Sequence, residues 1–301
     1  MSYLKCPKCG NDHFQLISAK KDQGGEIRTG TLSCSDCSTK YEISDGILNL
    51  LIDAKKIDAE RIGWEILAKK EGWDEVTDEY LLELPRPKHS VEKLQWDRHA
   101  NNFFFMLDRL SPLNGKVVLD VGAGRCWSSR YLARAGAEVV ALDIVKDKYA
   151  GLLVSDVLMG NDKTYFERIM ADMDNLPLKS ESFDVVFFSG SLHHSNDLFR
   201  TLSESVRVLK HGGVLALTNE ACGGIRNDEL IDNPTAEGIN EHTYHYTRYL
   251  SYMRKLGLIT TTLFEYDHYT SNKLMQFVTT PFKEINRYLR ATVLVAIAKK
   301  G

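Results

Sequence analysis

The sequence predicts a doubly wound α/β sheet preceded by a small metal-stapled domain, and three observations carry that reading. From residue 116 onward, apolar strand segments alternate with helical segments, as in a parallel sheet with crossover helices. The run Val117-Val-Leu-Asp-Val-Gly-Ala-Gly-Arg-Cys-Trp127 closes a strand in an acid and two near glycines before a helix opens. Four of the 6 cysteines form two Cys-x-x-Cys pairs near the amino terminus.

The bulk properties set bounds. A chain of 301 residues suits two domains, or one large domain with an appendage. With 43% apolar and 26% charged residues it reads as an ordinary soluble protein. No apolar run approaches the length of a membrane span, and Met1-Ser-Tyr-Leu-Lys5 leads straight into a cysteine pair rather than a secretory signal. The expectation is a cytoplasmic protein. A net charge of -3 gives no global attraction to nucleic acid. Lys20, Lys21, Arg28 and Lys40 are scattered rather than set in a stripe.

Residues 1–52 form the first unit. In a reducing compartment Cys6/Cys9 and Cys34/Cys37 read as a tetrahedral, structural zinc site. The insert Ser18 to Arg28 between the pairs has the composition of an exposed hairpin tip. A redox pair needs only one Cys-x-x-Cys and a thioredoxin-like context, which is absent. Cys126 and Cys222 read as packing residues.

Residues 53–111 form a helical linker. Ile57, Ile62, Ile66 and Leu67 recur at roughly helical spacing, and Pro85 and Pro87 interrupt the pattern. The stretch Val91 to Leu110 carries Trp96, Phe103, Phe104, Phe105 and Met106; an aromatic stripe of this kind is usually core, with a lid over the later site as the second reading. Residues 112–301 form the α/β unit. Strands are expected near 116–122, 138–144, 166–171, 183–189, 213–219, 258–266 and 292–299. Helices are expected near 126–136, 197–209, 247–257 and 274–290, with Thr247 as a cap.

Gly122 and Gly124 let the backbone turn sharply and approach a ligand closely. Asp143 closes the next strand (Glu138-Val-Val-Ala-Leu-Asp143), where an acid takes a ribose hydroxyl pair. Asp-Val-Gly-Ala-Gly (120–124), Ala-Leu-Asp (141–143), Ala-Asp-Met-Asp-Asn-Leu-Pro (171–177) and Ser-Phe-Asp-Val-Val-Phe (182–187) together resemble the class I S-adenosylmethionine-dependent methyltransferases, in particular the subgroup related to the ubiquinone/menaquinone methylases. Cys126 stands where that family often has a third glycine. The amino-terminal segment is similar to the small zinc-ribbon partner that activates several RNA and protein methyltransferases, here fused in cis. A similar ribbon also precedes bacterial ribosomal RNA guanine methyltransferases.

The resemblance implies a Rossmann-like sheet of seven strands, the last antiparallel. It implies a cofactor edge made by Asp120, Gly122, Gly124, Asp143, Ile144, Asp172, Met173 and Ser189. The glycine loop would lie against the methionine part, Asp143 on the ribose, and Asp172 with the Met173 amide on the adenine. The competing role for a strand-end acid is a helix cap, which suits Asp174 best. His193 and His194, after the fourth strand, are candidate bases near neutral pH. Asn240-Glu-His-Thr-Tyr-His-Tyr246 concentrates polar groups where an acceptor pocket is expected, giving Glu241 and His242 as further catalytic candidates and Tyr244 and His245 as substrate-binding ones. Asn219 and Glu220, at a strand end, join the substrate set.

The expected activity is methyl transfer from S-adenosylmethionine to an oxygen, nitrogen or carbon of a small molecule, such as a sugar or secondary-metabolite intermediate. RNA methylation, with the ribbon gripping the nucleic acid, is the runner-up. A non-catalytic scaffold with a protein partner is the third reading.

Overall fold

The computed structural model describes residues 2–52, 54–90, 92–223, 232–264 and 293–301. Four strands open the chain: β1 (Phe14–Lys21), β2 (Ile27–Cys34), β3 (Lys40–Ser44) and β4 (Ile47–Asn49). Helices α1 (Ala54–Lys70), α2 (Asp78–Glu83) and α3 (Lys93–Leu110) follow, with a 3₁₀ turn at Trp73–Glu75. The α/β half begins with β5 (Val117–Val121), α4 (Trp127–Arg134), β6 (Glu138–Asp143), α5 (Ser155–Asp162) and β7 (Glu167–Met170). It continues through β8 (Phe183–Ser189), α6 (Leu198–Val208) and β9 (Leu209–Gly223). Short strands β10 (Asp232–Pro234), β11 (Asn240–His242) and β12 (Tyr244–His245) lead into α7 (Tyr246–Lys255), β13 (Leu258–Phe264) and β14 (Val293–Lys300). The helix expected over 274–290 lies outside the described residues.

Seven strands stand in the order β7-β6-β5-β8-β9-β14-β13. Their neighbours pair in parallel except at β14, which runs antiparallel to both β9 and β13. β5 and β8 are buried nearly throughout, because helices cover both faces of a parallel sheet and a central strand has no wet side. α6 is held at its start by Asp197, whose side chain accepts from the Arg200 amide at 3.0 Å. It buries Leu198, Leu202, Ser205 and Val208 along one stripe. α7 differs from expectation: it begins at Tyr246, with His245 at the cap position and Thr247 already inside the first turn.

The seven-strand count is corrected. Among the described residues the sheet has 12 strands, because β1 to β4 continue it beyond β7 and β12 pairs with β9. The join is β4 against β7 in parallel, with Leu48 opposite Ile169 and Asn49 opposite Met170. A bare β7 edge would present unpaired amides and carbonyls, and β4 covers them. Apolar packing crosses the join too, since Tyr41, Ile43 and Leu48 share one buried cluster with Leu142, Ile169 and Leu178. Beside it, fully buried Arg168 pairs with Glu26 and Asp156, and Arg28 holds Asp156 with two hydrogen bonds at 2.9 and 2.7 Å. A buried guanidinium needs such partners, so the ribbon carboxylate of Glu26 and the β7 arginine depend on each other. Among the described residues no helix is long and apolar enough to cross a membrane.

Candidate functional site

Four sulfurs gather at the base of the ribbon. The Sγ atoms of Cys6, Cys9, Cys34 and Cys37 lie within 4.8 Å of one another. Cys6 and Cys37 are 3.7 Å apart, and Cys9 and Cys34 3.6 Å. Four thiolates at ~2.3 Å from a zinc ion sit about 3.8 Å from each other, so the donor set and its spacing fit tetrahedral zinc.

A cavity of about 230 Å³ opens beyond the carboxyl ends of the central strands. Its floor is backbone-rich: Gly122 to Arg125 after β5, Leu142 to Val145 at the end of β6, Ala171 and Met173 after β7, and Ser189 to Ser191 after β8. Gly122 (φ 67°) and Gly124 (φ 48°) both occupy the left-handed region. A Cβ added at Gly122 would come 2.4 Å from the Ser191 Cβ, which requires glycine there. Cys126 also adopts a positive φ of 57° and opens α4 without a side-chain cap.

Asp143 occupies the wall of this cavity. One carboxylate oxygen accepts from the Gly124 amide at 2.8 Å and the other from the Val145 amide at 2.8 Å. Each oxygen keeps a further lone pair, as a hydroxyl pair requires. Burial pushes its pKa up, against the pull of those amides. Ile144 and Met173 line the same space, and so does Ser189, whose hydroxyl accepts from Asn219 at 3.1 Å.

Two floor acids are placed elsewhere. Asp120 is 1% exposed, outside the lining, and its Oδ2 accepts from Ser128 and Ser129 at 2.6 Å each, pinning the start of α4. Burial lifts its pKa to about 6 while the two seryl hydroxyls lower it. Asp172 is also outside the lining and turns its carboxylate onto the Asp174 amide at 2.8 Å. Asp174 accepts from Thr201 on α6 and from the Asn196 amide, just ahead of that helix.

The two histidines separate. His193 lies between carboxylates, with Nδ1 2.9 Å from Glu220 and Nε2 3.5 Å from Glu241. Burial opposes its protonation, but the bonds to Glu220 and Glu241 prevail and raise its pKa to about 9. Glu220 also accepts from the amides of Ser191, Leu192 and His193, so this pair holds the turn after β8. His194 lines the cavity. Burial, then the charge on His193, lowers its pKa to about 4, so the ring is neutral near pH 7. Its Nδ1 is 2.5 Å from the Asn240 carbonyl and must carry the proton, which leaves Nε2 as an acceptor.

The remaining candidates stand behind this wall. Asn219 (φ 61°) accepts from buried Asn102 at 2.9 Å. His242 stacks on Tyr244 at 5.2 Å, Tyr244 pairs with β9, and His245 precedes α7. Neither these nor Glu241 lines the cavity.

The roof was not read from the sequence apart from Trp96. Glu60 and Trp64 of α1, Trp73, Trp96 of α3, and Trp127 and Arg125 all line the cavity. The chain has 4 tryptophans, and every one is here. Trp64 stacks on Trp73 at 6.5 Å and meets His194 edge-on at 5.1 Å. Glu60 accepts from the Asn240 amide side chain at 2.9 Å. Burial and then the Asp143 charge raise its pKa to about 8, against hydrogen bonds from Trp64 and Asn240. The i, i+4 pair Glu60/Trp64 was the available signal, since it puts an acid and an aromatic on one helix face.

The strand order, the glycine loop and the acid at the end of β6 define a Rossmann-like, class I methyltransferase fold. Residues 119–217 match the family model described as a methyltransferase domain. A demethylmenaquinone methyltransferase from Clavibacter sepedonicus is 36% identical over 110 residues, covering 36% of this chain and 42% of that protein. A tRNA U34 carboxymethyltransferase from Desulfotalea psychrophila is 29% identical over 162 residues, covering 52% and 49%. The chain thus spans about half the length of the curated relatives it matches. The crystal structure of Burkholderia thailandensis 1,6-didemethyltoxoflavin-N1-methyltransferase shares the fold at a TM-score of 0.52 and 14% identity, covering 96% of this chain and 99% of that one.

Proposed function

We propose that the chain is an S-adenosylmethionine-dependent methyltransferase acting on a small molecule enclosed in this cavity, with a structural zinc ion on the ribbon. The observation that carries the reading is the convergence of the Gly122–Gly124 turn and the Asp143 carboxylate on one cavity beyond the strand ends. Residues 1–52 hold the zinc through Cys6, Cys9, Cys34 and Cys37, residues 53–111 supply the lid, and residues 112–301 carry the transfer.

When bound, the cofactor supplies a methyl group on a sulfonium that is its own leaving group. The chain's part is alignment and proton handling. Asp143 takes the ribose hydroxyls, and the glycine loop admits the methionine part. The α1 roof excludes water. His194 Nε2 accepts a hydrogen bond from a hydroxyl or amine acceptor and orients it, with its tautomer held by the Asn240 carbonyl. His193 and Glu220 keep the turn that carries His194 in place.

A second reading, methylation of RNA, is favoured by the tRNA-modifying relative. The net charge of -3 and the roof over the cavity weigh against it. Methyl-labelled S-adenosylmethionine incubated with the protein and cell extract separates the two. Label in the small-molecule fraction supports the proposal, and label in RNA replaces it with the second reading. Asp143→Ala is expected to lower cofactor affinity at least about tenfold by calorimetry; unchanged affinity removes the pocket assignment.

A further inference from the structure

One corner of the cavity is built by side chains from three separate segments. Glu60 of α1 is 8% exposed and accepts from the Asn240 side chain at 2.9 Å. The Asn240 carbonyl in turn accepts from His194 Nδ1, and the Trp64 ring meets the His194 ring edge-on at 5.1 Å. Glu60, Trp64 and His194 all line the cavity. Gly63 lets α1 press onto the segment ahead of β11, since a Cβ there would come 2.5 Å from the Glu237 carbonyl oxygen. The corner is therefore set before a ligand arrives.

Its electrostatics are one-sided. Asn240 and Trp64, which hydrogen-bond to Glu60, are neutral, and the charges acting on it come from the acids Asp143 and Asp174. Burial and then the Asp143 charge raise its pKa to about 8. Arg125 also lines the cavity, but it lies over Trp73 with its Nε on the Tyr149 carbonyl. A carboxylate so placed gains from a cation that the ligand supplies. The 4 tryptophans around the cavity favour the same charge, because an aromatic face attracts a cation. His194 Nε2 is an acceptor and takes an N–H. An ammonium brings both the charge and the donors.

We propose that the acceptor is an amine, cationic in water, which docks between Glu60 and His194 beneath the tryptophans and gives a proton to Glu60 before transfer. The ammonium N–H bond breaks, its electron pair stays on nitrogen, and the proton goes to the Glu60 carboxylate. That pair forms the bond to the methyl carbon while the carbon–sulfur bond breaks with its electrons left on sulfur. The product leaves as a methylated ammonium, and the proton on Glu60 passes to water. The inference rests on the proposed function and names its acceptor class.

The test uses the zinc-loaded full chain saturated with S-adenosylhomocysteine, the demethylated cofactor. Benzylamine and benzyl alcohol, which differ in the charged group, are the probes, followed by tryptophan fluorescence and calorimetry. The wild type is expected to prefer benzylamine by about tenfold or more. Glu60→Gln should erase that preference while leaving the affinity for S-adenosylhomocysteine within about twofold, which also shows that the variant is folded. A preference equal in the two proteins, or absent from the wild type, overturns the assignment. The cofactor's sulfonium is the other cation available to Glu60. If Glu60→Gln weakens S-adenosylmethionine but not S-adenosylhomocysteine, the carboxylate serves the cofactor and the amine proposal falls. In the labelling experiment, mass spectrometry of the labelled small molecule should place the methyl on nitrogen. A methyl on oxygen or carbon overturns the amine and leaves the methyltransferase reading standing, whereas no labelled small molecule means that the proposed function fails first.

Discussion

The floor and the roof of the cavity are built in opposite ways. The floor comes from short runs at strand ends, and its contacts are largely backbone: two glycines at positive φ, and amides that hold the Asp143 carboxylate. The roof comes mostly from side chains on α1, the 3₁₀ turn and α3, set far from the floor in sequence, and is joined by Trp127 at the start of α4. Trp64, Trp73 and Trp96 are half-buried, whereas Trp127, where the roof meets the core, is 9% exposed. A sheet can hold backbone in register whatever surrounds it, but a roof of aromatic side chains exists only once its helices have docked. On the proposed function, the floor therefore recognises what the cofactor always presents, and the roof answers to the acceptor.

The largest expected effect is on the floor. Gly122→Val adds a Cβ 2.4 Å from that of Ser191 at a φ of 67°, so the turn must move. Cofactor affinity should fall by roughly a hundredfold or more, about 2.7 kcal/mol. A fluorescence titration showing near wild-type affinity would mean that the floor tolerates what its geometry forbids.

The roof should split by depth. Trp127→Ala removes a ring packed against Phe103 at 4.8 Å and Trp96 at 6.4 Å, and should cost about 3–5 kcal/mol in urea unfolding. Trp64→Ala removes a half-buried ring whose neighbours are Trp73 and His194, so it should cost stability less than about 2 kcal/mol while weakening ligand binding. Equal stability losses at the two positions would erase the distinction between core and lid.

This contrast also explains what the sequence shows and what it hides. The floor was legible because a tight turn demands glycine and a strand end has a fixed position, so Gly122, Gly124 and Asp143 follow from local spacing. The thiol cluster was legible for the same reason. Glu60, Trp64 and Trp73 were not, because their roles arise only when α1 and the 3₁₀ turn fold back over the loop. The continuation of the sheet through β4 was also hidden, since pairing of two edges leaves no periodic mark in either strand. Asp120 and Asp172 carry the pattern of ligand acids, yet their carboxylates are already engaged with Ser128, Ser129 and the Asp174 amide.

Electrostatics sharpens the roof. Glu60 titrates near 8 in the folded protein against an ordinary 4.5. The folded state therefore binds more protons between these values, and stability falls as pH rises through that window, then levels off above it. Glu60→Gln copies the neutral form and should remove that slope. At pH 9 it should exceed the wild type in stability by roughly 4–5 kcal/mol, with little difference at pH 4.5. Parallel curves for the two proteins would show that Glu60 is not held neutral beneath the roof.

His193 provides the matching test behind the floor. Its folded pKa of about 9 lies above the ordinary 6.5 because Glu220 and Glu241 hold the charged ring. For a base raised in this way, the stabilisation is complete below pH 6.5 and is lost as pH climbs through about 9. The span corresponds to roughly 3–4 kcal/mol. His193→Asn should be less stable than the wild type at pH 7, because Glu220 loses its buried cation, and it should lack this slope. The Glu60 slope runs in the same direction but ends near pH 8, so Glu60→Gln isolates the His193 contribution between pH 8 and 9. If thermal unfolding of Glu60→Gln is flat across that interval, the turn carrying His194 is held by the Glu220 backbone bonds alone and not by the ion pair.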